Sequence, residues 1–114
     1  MPVARRLQRS LAALAGIVLL AGCGSALRDS FMVEDPQGQI VGGELLLCEA
    51  VSPLEQVGED WHANMHVDCE GSGEIRLALA DGSQATCEVG YVTPGMLQDW
   101  LFHLEDGACV QVTG

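Results

Sequence analysis

Between Trp61 and Glu70 the chain alternates strictly. Trp61, Ala63, Met65, Val67 and Cys69 are apolar, and His62, Asn64, His66, Asp68 and Glu70 stand between them. A period of two places one set on each face of a β-strand, whereas a helix would smear the apolar set around its circumference. The same alternation continues downstream. Ile75, Leu77 and Leu79 share one face, and Ala85, Cys87, Val89 and Tyr91 share one face of the returning run. Asp81-Gly82 lies between those two runs and predicts a hairpin closed by a type I′ turn. Upstream, Gln39–Val51 reads as a strand in which Gly42-Gly43 marks a bulge or sharp bend, and Ser52–Asp60 reads as a polar loop.

Residues 93–112 carry two periods at once. Leu97, Trp100, Leu101 and Leu104 fit a helical stripe that Thr93-Pro94 would start, and Gln98, Trp100, Phe102 and Leu104 fit a strand. Asp106-Gly107, a second hairpin dipeptide leading into Cys109, Val110 and Val112, favours the strand. The two Asp-Gly segments are similar enough to suggest a repeated hairpin. About six short strands with turns every eight to twelve residues predict an all-β fold, a small antiparallel sandwich or barrel. The alternative is a β-rich α+β fold with one helix near residues 96–104.

The amino-terminal segment follows other rules. Arg5, Arg6 and Arg9 precede the apolar run Leu11–Leu20, which is of signal-peptide length and too short for a stable membrane span. The run ends in Leu20-Ala21-Gly22-Cys23. This resembles the lipobox of bacterial lipoproteins, and the resemblance covers residues 1 to about 24. It implies cleavage before Cys23, a diacylglyceryl thioether on its sulfur and a further acyl chain, such as palmitate, on the new amino terminus. Two or more chains hold a protein stably, at about 0.8 kcal/mol per buried CH₂. Gly24, rather than Asp, implies sorting to the outer membrane, with the domain facing the periplasm or the exterior. The expected organisation is a signal peptide over 1–22, a lipidated tether over 23–38 that is polar and broken by Pro36 and Gly38, and a domain over 39–114. Phe31, Met32 and Val33 offer at most a short edge strand to that domain.

Removing the signal changes the charge. The sequence has no Lys, and only Arg28 and Arg76 lie beyond it, against all sixteen acidic residues, so the exported part carries −14 where the whole chain carries −11. The charge argues against nucleic acid and anionic membrane surfaces as partners and leaves a cationic protein as a candidate, although solubility or adaptation to a salty or acidic milieu accounts for it more simply. With Cys23 assigned to lipid, Cys48, Cys69, Cys87 and Cys109 are an even set in a small exported domain and predict two disulfides. Neighbour pairing, Cys48 with Cys69 and Cys87 with Cys109, is preferred because sequential strands tend to be adjacent. Gaps of about twenty residues with no C-x-x-C pair argue against a zinc-thiolate site.

His62 and His66 are candidate metal ligands, with Asp68 and His103 as further donors. On a strand, however, a spacing of four is roughly 13 Å, too far for two imidazoles to share one ion unless the strand bends. No nucleophile elbow, assigned acid–base pair or phosphate-binding glycine loop is present, so neither a catalytic residue nor a cofactor is expected. The reading that results is a non-enzymatic, lipid-anchored envelope protein with an acidic β domain for protein binding or envelope maintenance. The alternatives are a metal-binding or metal-responsive protein using His62 and His66, and an inhibitor of a cationic hydrolase such as lysozyme.

Overall fold

The computed structural model describes residues 27–113. They form nine strands and no helix: β1 Asp29–Glu34, β2 Ile40–Leu47, β3 Ala50–Pro53, β4 Glu55–Val57, β5 Asp60–Met65, β6 Gly71–Leu79, β7 Gln84–Val92, β8 Asp99–Glu105 and β9 Ala108–Thr113. One sheet has the order β4-β5-β1-β8-β9 and the other β3-β2-β6-β7. Their inner faces enclose a single core in which Phe31, Val33, Leu45, Ile75, Leu77, Val89, Phe102 and Leu104 are almost wholly buried. The fold is the all-β sandwich that the alternation predicts, and the helix considered for 96–104 is absent. Thr93–Met96 is instead a tight turn in which Met96 N donates to Thr93 O, with Pro94 fixing its second position and Gly95 at φ +83° its third.

Three expectations are corrected. The strands number nine rather than six, in part because Ser52–Asp60, which reads as loop, holds half of β3 and all of β4. Asp29–Glu34, assigned to the tether, is the middle strand of the five-stranded sheet. It pairs antiparallel with β5 and parallel with β8, so the sheet is not wholly antiparallel. Tyr91 points outward and Val92 inward, because the β6–β7 register shifts between Gly71 and Gly73 and resets the alternation.

Both disulfides form as expected and both join the two layers. Cys48, in the β2–β3 turn, bonds Cys69, in the β5–β6 connection. Cys87 on β7 bonds Cys109 on β9, tying the edge strand of one sheet to the edge strand of the other. Each closes a chain loop of about twenty residues, for which roughly 3 kcal/mol of stabilisation is typical. In a domain this small, two such links are a large share of total stability.

The chain changes sheets at Leu54, between β3 and β4. Leu54 is buried and its N donates to Gly43 O at 2.9 Å. A Cβ on Gly43 would lie 2.7 Å from Arg76 O and 2.9 Å from Leu54 Cδ1, so glycine there is what lets the crossing segment seat against the sheet. The predicted bulge lies beside it, as a register shift between Ile40 and Gly42.

Candidate functional site

The topology separates the molecule into two ends of different chemistry. Leu27 leads into β1 at one end, the root. At the other, the far end, four connections converge. β1 closes onto β2 through 35–39, and β5 pairs with β1 so that Trp61 faces Val33, which brings the Gly58-Glu59 turn alongside. β8 runs parallel to β1 with His103 opposite Glu34, bringing up Asp106-Gly107, and Ala80 N donates to Gln39 O, drawing in the Asp81-Gly82 turn. Glu59, Asp81, Glu105 and Asp106 are exposed there and Asp60 is half-buried, and neither of the two arginines of the described residues lies among these turns.

Some of these carboxyls hold their turns. Asp35 is buried, and its two carboxylate oxygens accept from Gln39 N and Ile40 N, each at 2.9 Å. Asp81 accepts from both the backbone N and the hydroxyl of Ser83, hydrogen bonds that hold its carboxyl below the usual 3.8. That side-chain closure accompanies a turn in which only Gly82 takes positive φ, so the predicted type I′ geometry does not form at Asp81. It does form at Asp106-Gly107, where φ is 52° and 78° between the paired Glu105 and Ala108. Asp106 also exchanges two hydrogen bonds with Gln37, its Oδ1 accepting from Nε2 and its N donating to Oε1. Glu59, Asp60 and Glu105 take no such part.

The histidines are spread across the five-stranded sheet. Trp61, Ala63, Met65 and Val67 are buried, and Asn64, His66 and Asp68 are exposed with His62 half-buried, so the alternation holds throughout. His62 faces Glu55 on β4 and Met32 on β1. His66 lies past the end of β5, its Nδ1 3.0 Å from Leu27 O. His103 sits between Glu34 and Glu105 at 3.4 and 3.3 Å, a half-buried bridge whose attraction needs a protonated ring. Among the described residues, one group of three metal-ligand atoms lies within 4.8 Å, that of Cys48, Asp68 and Cys69. Its two sulfurs are bonded to each other, so it offers no thiolate. Cys23, the expected lipid site, lies outside the described residues.

The root also carries exposed acids, Glu49, Asp68, Glu70 and Asp99, beside exposed Arg28, and differs in having an apolar rim. Leu27, Met96 and Leu97 are exposed around a cavity of about 170 Å³ that Asp29, His66 and Val67 also line. Asp29 is 2% exposed, and its Oδ2 has no hydrogen-bond partner. Sequence reasoning missed this residue because Asp in a polar run reads as solvated, and only its parity with Phe31 and Val33 hints at an inward side chain. No family model, curated protein or solved structure matches this chain, so its geometry is the ground on which function is read.

Proposed function

We propose that the protein is a non-enzymatic lipoprotein of the bacterial cell envelope, anchored through Cys23, whose far end binds a cationic protein partner. The observation that carries this reading is the separation of the two ends. The chain arrives at the root, while Glu59, Asp60 and Glu105 gather at the opposite end, away from both arginines and free of turn-closing hydrogen bonds, with His103 beside Glu105. A lipid on Cys23 would hold the acidic end away from the bilayer, free to meet a basic surface. Clustered charge of one sign speeds and orients association with an oppositely charged partner, and salt weakens it.

The test uses the full lipidated protein on vesicles and lysozyme as the basic probe, with cytochrome c as a second. Binding is expected to weaken at least tenfold as salt rises from low to well above physiological strength. The triple variant Glu59→Gln, Asp60→Asn, Glu105→Gln should weaken it by a similar factor while leaving the unfolding midpoint in place. Salt-independent binding, or none to either probe, would overturn the proposal. Inhibition of lysozyme turnover in the same samples would extend it to hydrolase control.

A further inference from the structure

The cavity at the root joins two features that the sandwich itself does not use. Its rim is apolar, with Leu27 68%, Met96 57% and Leu97 56% exposed, and its wall contains the buried Asp29 with one carboxyl oxygen unpartnered. Exposed large apolar side chains grouped around one hollow mark a contact surface. A buried carboxyl oxygen without a donor is unfavourable, and the group that satisfies it brings an N–H, an O–H or a positive charge. An ammonium head on an apolar body supplies N–H donors and positive charge together, and so matches both the carboxyl and the rim.

Position along the chain identifies its source. Cys23 precedes Leu27 by four residues, and an extended chain spans at most about 3.6 Å per residue, so a lipid on Cys23 lies within roughly 15 Å of the rim. A protein partner would have to wedge beneath the domain to reach this surface, whereas the bilayer is already there. We propose that the root rests on the membrane, with Leu27, Met96 and Leu97 in the interfacial layer and the Asp29 cavity holding the ammonium head of a zwitterionic lipid. This inference rests on the lipidation of Cys23. The charge near the root suits a zwitterionic head group: exposed Asp68 and Asp99 attract its ammonium, and exposed Arg28, beside Leu27, attracts its phosphate. The turn that presents Met96 and Leu97 is short and fixed by Pro94 and Gly95, so the rim meets the interface already ordered.

The experiment reconstitutes the full lipidated chain into vesicles whose acyl chains are brominated. Leu97→Trp reports from the rim and Val41→Trp from near the far end, with the emission of buried Trp61 and Trp100 subtracted using the unmodified protein. In phosphatidylethanolamine vesicles, Leu97→Trp emission should fall at least twofold more than that of Val41→Trp. In phosphatidylglycerol vesicles the difference should shrink by half or more. Equal quenching of the two reporters overturns the docking, and equal quenching in the two lipids overturns the ammonium site without needing any change at Asp29. The mass of the amino-terminal peptide reads the anchor separately. Lipid on Cys23 with an unquenched rim refutes the docking alone, and Cys23 without lipid refutes the anchoring and the docking together.

Discussion

The two ends of the sandwich are made of the same device, a short turn between strands, and differ in what the turns are asked to do. At the far end, Asp35, Asp81 and Asp106 each spend a carboxyl on closing a connection, so part of the acidity is turn chemistry. At the root, Thr93–Met96 closes with a proline and a glycine, and its next side chains are free to be apolar. Net charge alone therefore overstates the surface available for binding. The residues to weigh are those left over once the turns are built: Glu59, Asp60 and Glu105 at one end, Leu27, Met96 and Leu97 at the other.

This contrast presumes one rigid body, and the largest expected effect comes from removing what joins the ends. Phe31 stacks on Trp100 across β1 and β8, with ring centroids 6.1 Å apart. Phe31→Ala should cost about 4 kcal/mol, read as a lowered denaturant midpoint. Next comes the staple at the root: Cys48→Ala with Cys69→Ala should cost about 3 kcal/mol, with amide exchange rising first around residues 47–50 and 66–72. If exchange rose equally at the far-end turns, the two ends would not be separable units. Asp35→Ala leaves one buried and one part-buried amide without acceptors and should cost about 2 kcal/mol, loosening the far end while the root keeps its protection in hydrogen exchange.

A smaller effect has the opposite sign. Cys48 and Glu49 both take positive φ, 56° and 58°, in the two-residue β2–β3 turn. Glu49→Gly should stabilise the protein by about 1 kcal/mol, visible as a higher melting temperature, because glycine carries no Cβ into that conformation. The smallest effect is acid-dependent. Ser83 depresses the Asp81 carboxyl below 3.8 in the folded state, so its contribution is present above that value and is lost as pH falls through the depressed one. Asp81→Asn should therefore be less stable than the unmodified protein above pH 3.8, with the difference shrinking as pH falls below it. A difference that persisted undiminished well below pH 3.8 would mean that the charge of Asp81 is not what steadies its turn.

Wherever one face is buried and the other wet, the sequence shows the strand directly, as in Trp61–Val67 and Ile75–Val89, and Asp-Gly locates the hairpins between such strands. The cysteine pairing is legible for a related reason, since neighbouring segments became neighbours in space. β1 is not legible because its pairing with β8 spans 69 residues, as from Glu34 to His103, and leaves no local trace. An acid in one of its three inward positions also disguises the pattern. β3 and β4 are missed because both are short and largely exposed, so no buried face writes a period into them. The candidate site is legible as composition and invisible as geometry. Sixteen carboxyls are countable in the sequence, but which of them are free depends on hydrogen bonds that only the folded turns define.

The place of β1 has a mechanical consequence. A protein held by its amino-terminal end and pulled by a partner is loaded through the segment that enters at Leu27, which continues directly into the middle strand of its sheet. Tension along β1 runs parallel to the strand and loads its hydrogen bonds to β5 and β8 together, in shear. An edge strand pulled sideways would instead peel bond by bond at low force. A domain held by its amino terminus would thus be loaded through the strand best placed to bear a tug, and not through an edge that peels.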